Sequence, residues 1–148
     1  MNASKDILDS IELSNLLNKI DLQIQNIEVG DTHTEIDILM NFPFKSKVDN
    51  SYLRNDAMKE LHEMLYKAFV LISQISIETN NADLLSIVNK SCSRIIVLLS
   101  SCQLKIQKAP MVKPLADLYK NAIINLQQNN NDSLISNFKN LANTLFFY

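Results

Sequence analysis

The sequence predicts a mainly α fold, an up-down four-helix bundle preceded by an N-terminal helix and a β-hairpin, and three observations carry that reading. One glycine and three prolines in 148 residues leave too few tight-turn positions for a sandwich or a barrel. Apolar residues recur at helical spacing over most of the chain. One stretch alternates with period two instead, and it surrounds the single glycine. The length suits one domain, residues 1–148, in which an extension over 1–50 precedes a bundle over 51–148, and a chain of this size buries roughly 70% of its unfolded surface in one core.

The first helix is expected from Ile7, Leu8, Ile11, Leu16, Leu17 and Ile20, with Ser4 as its cap and Asp6 and Asp9 near its positive end. Leu22, Ile24, Ile27 and Val29 then alternate. Beyond Gly30-Asp31, Ile36, Ile38, Met40, Phe42 and Phe44 do so again. A glycine at the first central position of a two-residue turn suits type II′ geometry, so a hairpin over about 23–29 and 32–41 is predicted, with Pro43 ending its ladder.

Asn55 and Asp56 open the next predicted helix. Its residues Met58, Leu61, Leu65, Ala68, Phe69, Ile72 and Ile75 share one face, within about 120° of arc. Tyr66, Val70 and Ile77 form a second stripe on nearly the opposite side. Thr79-Asn80-Asn81 breaks this helix, and Leu84, Leu85, Ile87, Val88, Cys92, Ile95, Ile96, Leu99 and Cys102 define the third. Pro114 suits the first turn of a fourth helix, built on Leu115, Leu118, Tyr119, Ala122, Ile123 and Leu126. After Asn129-Asn130-Asn131, Leu134, Ile135, Phe138, Leu141, Ala142, Leu145 and Phe146 make the last.

Composition and spacing exclude several function classes. With one glycine, neither a dinucleotide fingerprint nor a phosphate loop can be built. His62-Glu63 begins like a metalloprotease motif, but position 66 is Tyr and His33 is the only other histidine, so no metal site is expected. No serine sits in a Gly-x-Ser-x-Gly turn. A non-catalytic chain without a cofactor is the expectation. Residues 1–83 hold seven Lys/Arg against fourteen Asp/Glu, and residues 84–148 hold seven against two. Opposite halves that attract each other explain this asymmetry, and no run of Lys/Arg is interleaved with aromatics, so nucleic acid is not an expected partner. The longest aliphatic run is five residues, Ile95 to Leu99, and no basic start precedes an apolar stretch. The reading is a cytoplasmic chain without a signal peptide or membrane span, whose two cysteines are buried reduced thiols.

Two features point outward. The stripe of Tyr66, Val70 and Ile77 and the terminal Phe147-Tyr148 are apolar groups that a single core does not obviously use, and exposed apolar surface marks protein contact. The expected partner is another protein, bound through an amphipathic helix; self-association uses the same chemistry.

Ser51-Tyr52-Leu53 followed by Glu60-Leu61-His62-Glu63-Met64-Leu65-Tyr66-Lys67-Ala68-Phe69, together with Ile77-Glu78-x-Asn80, Leu118-Tyr119 and the Asn-Asn-Asn-Asp break at 129–132, resembles the flagellar export chaperone FliS family over residues 51–146. Lys67-Ala68 stands where that family has Asp-Gly. The alternative within this resemblance is that the chain is similar instead to the helical co-chaperone that accompanies FliS in some bacteria. The resemblance implies a cytoplasmic bundle, acting in flagellar protein export, that sheathes an aggregation-prone helical segment of a secreted protein. The other reading is a helical adaptor or self-associating interaction protein, viral or bacterial, with no export role.

Overall fold

The computed structural model describes residues 3–41, 47–101 and 108–147, with side chains over 5–27, 56–101 and 108–146. Five helices account for nearly all of it: α1 (Ala3–Asn41), α2 (Lys47–Glu78), α3 (Ala82–Ser101), α4 (Lys113–Gln128) and α5 (Asp132–Leu145). Two-residue strands, β1 (Ala109–Pro110) and β2 (Phe146–Phe147), pair in parallel. The mainly α class is as expected.

The hairpin is not there. Residues 23–41 continue the first helix without interruption, and the one glycine does not have positive φ. The reason lies in the stripe that α1 buries. Leu13, Leu17, Ile20, Ile24 and Ile27 are each no more than 4% exposed, and their spacing of four, three, four and three is helical throughout. A glycine in a helix interior costs only about 1 kcal/mol relative to alanine, too little to end a helix anchored by such packing. The expected cap Ser4 falls within α1, and Phe42 and Phe44 lie outside the described residues. Likewise α2 starts at Lys47, ahead of Asn55-Asp56.

The later boundaries follow local chemistry. Asn81 caps α3, its Oδ1 accepting from the N–H groups of Asp83 at 2.9 Å and Leu84 at 3.3 Å. Asn131 caps α5 by accepting from the Leu134 N–H. Asn130, at φ 54°, takes the left-handed conformation that asparagine tolerates at helix ends. Pro114 sits in the first turn of α4, where its missing N–H has no intrahelical role.

Sequence neighbours are not always spatial neighbours. Helix α2 packs chiefly on α1 and α4, α3 on α5 and then α1, whereas α3 and α4 make no substantial contact. The expected up-down order, with each helix beside the next, is therefore corrected. Helix α4 lies diagonally from α3, and the α2–α3 hairpin faces the α4–α5 hairpin. Their turns lie together: Asn129 Nδ2 donates to Asn80 Oδ1 at 3.0 Å, and Asn125 Nδ2 to the Ser76 carbonyl at 2.6 Å. Between α3 and α5, Asn137 Nδ2 donates to Asn89 Oδ1 at 2.5 Å and Ser93 Oγ at 3.0 Å.

One continuous core joins all five helices, and α1 is a full member of it. Its aromatic centre is Phe69, whose ring lies 5.9 Å from Tyr119, 5.2 Å from Phe138 and 5.0 Å from Phe146. Helix α3 is long and apolar enough to cross a membrane by length and composition. In this fold its apolar residues Leu84, Leu85, Val88, Cys92, Ile95 and Leu99 are core. Arg94 on the same helix donates to Asn18 Oδ1 at 3.1 Å and lies 3.7 Å from an Asp21 carboxylate oxygen, tying α3 to α1.

Gly30→Ala tests the continuity of α1. Within a helix the change raises stability, by up to about 1 kcal/mol, measured by urea unfolding. A glycine required at positive φ would instead give a loss of about 1 to 3 kcal/mol.

Cys92, fully buried, supplies a pH test. Burial pushes its thiol from the usual 9.0 up to about 12. Between those values the unfolded chain gives up the proton and the folded chain keeps it, so this group's contribution to stability is complete below pH 9 and falls as pH rises towards 12. In a Cys102→Ser background, Cys92 resists maleimide at pH 8 until denaturant is added. The stability difference between that protein and its Cys92→Ala derivative shrinks as pH rises above 9.

Candidate functional site

Packing of α2 determines what it leaves outside. Leu61, Leu65, Ala68, Phe69, Ile72 and Ile75 are buried at 2% exposure or less, as their common face requires. Tyr66, one residue beyond Leu65, is turned by about 100° and is 45% exposed. Val70 is partly buried on the same side. Helix α1 runs antiparallel to α2 here: Lys5 pairs with Glu78, and Gln23 Nε2 donates to the Ala57 carbonyl at 3.0 Å.

Between the two helices runs an open groove. Leu8, Ile11 and Leu16 line it from α1, and Met64, Tyr66, Val70 and Leu71 from α2. Glu12, Lys19 and Lys67 add charge along its sides. Leu8 and Ile11 are 64% and 52% exposed, so the apolar lining is accessible to a partner. The sequence reading reached Tyr66 and Val70. It gave Leu8 and Ile11 to the apolar pattern of the first helix without assigning them a face; the buried stripe passes through Leu13, Leu17 and Ile20.

Ile77 is partly buried against the core and does not line this groove. The Phe147 side chain and Tyr148 lie outside the described residues. Phe146, expected in the last helix, forms the extended cap of α5 and is only 5% exposed. It belongs to the aromatic cluster around Phe69 rather than to a contact surface.

A second concavity lies on the other side of Tyr66 and Lys67. Its volume is 670 Å³, and it is lined from α2 by Lys59, His62, Glu63, Leu65, Tyr66 and Lys67. The rest of its wall comes from Lys108, Ala109 and Pro110 and from Leu145 and Phe146 at the end of α5. The β1–β2 pairing, Ala109 with Phe146, builds this wall. The sequence reading did not find this cavity, because its parts come together only when the segment before α4 meets the end of α5.

Among the described residues no three His, Cys, Asp or Glu side chains gather to hold a metal ion. The buried thiol of Cys92, its pKa raised by desolvation, is the reverse of an activated nucleophile. Compared with protein-family models, with curated proteins and with solved structures, the chain finds no match.

Leu65→Ala and Tyr66→Ala separate the two faces of α2. The first opens a cavity and lowers stability by about 2 to 5 kcal/mol. The second removes a half-exposed ring and costs less than about 1 kcal/mol, as chemical denaturation of each variant measures.

Proposed function

We propose that this protein is a non-catalytic helical bundle that binds another protein, receiving an amphipathic helix in the groove between α1 and α2. The accessible apolar lining of Leu8, Ile11, Leu16, Met64, Tyr66, Val70 and Leu71 carries this reading. Two helices flanking an apolar trough offer the geometry into which a third packs, reading residues at helical spacing. Tyr66 stands near the trough's end, next to the second concavity, and a half-exposed aromatic is the residue type that anchors such contacts.

The resemblance of residues 51–146 to FliS supplies the biological form of this proposal: a cytoplasmic export chaperone or co-chaperone that sheathes a helical segment of a flagellar or other secreted protein. In that role the groove shields apolar surface of a client that would otherwise aggregate. The adaptor reading uses the same groove, and a second copy of the chain is then one possible occupant.

Affinity capture followed by mass spectrometry tests the proposal, with wild type and Tyr66→Ala compared side by side. Wild type retains a helical, export-destined polypeptide, and Tyr66→Ala weakens its binding by about 2 kcal/mol while unfolding as cooperatively as the parent. Capture that is indifferent to Tyr66→Ala contradicts the groove. Retention only of the protein itself, with a dimer in solution, favours self-association over export.

A further inference from the structure

We infer that the 670 Å³ concavity beside Tyr66 is a binding site for a small amphiphilic carboxylate, an apolar chain of about ten carbons ending in one anionic head. Its size lies within the range of small-molecule sites, and its floor and walls include Leu65, Tyr66, Pro110, Leu145 and Phe146. Such a surface favours an apolar body by removing it from water.

The charge around it selects the head. Lys59 and Lys67 line it from α2, and Lys108 from the position before β1. None of the three has a hydrogen bond or ion pair among the described residues. Among the described residues that line the cavity, Glu63 is the one carboxylate. Ammonium groups without partners around an apolar-walled cavity attract an anion, and a carboxylate on an apolar chain satisfies both features at once.

His62 adds an independent sign. It lines the cavity, and its Nε2 is buried with no hydrogen-bond partner among the described residues. A buried polar nitrogen left unpaired is unfavourable. A carboxylate held in the cavity is the kind of hydrogen-bond partner that this nitrogen lacks. The site differs from the helix-binding groove, although both share Tyr66 and Lys67.

Isothermal titration of the full chain with sodium decanoate below its micelle concentration tests the site, with decan-1-ol, decyltrimethylammonium and acetate as comparison probes. Decanoate saturates one site, decan-1-ol binds at least tenfold more weakly, and the cation and acetate do not bind. A Lys67→Gln, Lys108→Gln double variant loses at least tenfold in decanoate affinity with decan-1-ol affinity unchanged. Both lysines are exposed, so the variant keeps the parent's unfolding transition. Equal affinity for decanoate and decan-1-ol overturns the proposal, as does a double variant that binds decanoate like the parent, or the absence of saturable decanoate binding.

Discussion

The ring of Phe69 is the contact on which the arrangement depends. From the middle of α2 it meets Tyr119 of α4, Phe138 of α5 and Phe146 of the terminal strand, and Tyr119 and Phe138 meet each other at 4.9 Å. Aromatic pairs in offset or edge-on geometry are worth about 0.5 to 1.5 kcal/mol beyond their buried area, and here they converge on one residue. That convergence fixes the rotation of α2. With Phe69 inward, Leu61, Leu65, Ile72 and Ile75 must also be inward, and Tyr66 must emerge at the surface. The same cluster holds Phe146, whose backbone pairs with Ala109, so the wall of the 670 Å³ cavity hangs on it too.

Helix α1 completes the pattern from outside. Its stripe from Leu13 to Ile27 covers part of α2 and α3, and its polar ties to them run along its length, through Lys5 to Glu78, Asn18 to Arg94 and Gln23 to Ala57. The cover is incomplete because α1 has more apolar residues than one stripe can bury. Leu8 and Ile11 fall off its axis and remain exposed, facing the same trough as Tyr66. The trough is thus a consequence of the packing that stabilises the bundle.

Much of the architecture was legible in the residues. The helical periods of α3, α4 and α5, the asparagine breaks at 79–81 and 129–131 and the placement of Pro114 all act locally, through capping and side-chain spacing, and the structure follows them. The inward face of α2 was equally plain. The misread segment lies in α1, where Ile36, Ile38 and Met40 alternate beside Gly30 and a short window cannot distinguish a strand from a helix. The longer run Leu13, Leu17, Ile20, Ile24, Ile27 holds the decisive period, and Leu13 was absent from the apolar set first assigned to this helix. Of the candidate site, Tyr66 and Val70 could be found from a second stripe on one helix. The opposing wall from α1 and the cavity formed by residues 108–110 with the end of α5 are tertiary juxtapositions, carried by no local pattern.

If the groove receives a partner helix, Tyr66 contacts a second polypeptide rather than a covering segment of its own chain. Replacing Tyr66 with photoreactive benzoylphenylalanine and irradiating the cells that produce the protein distinguishes the two, with the same probe at Lys120, an exposed position on α4, as the comparison. A discrete adduct between position 66 and a second polypeptide, absent from position 120, is the expected result. Adducts confined to the protein's own α1, or the same pattern from both positions, would contradict it.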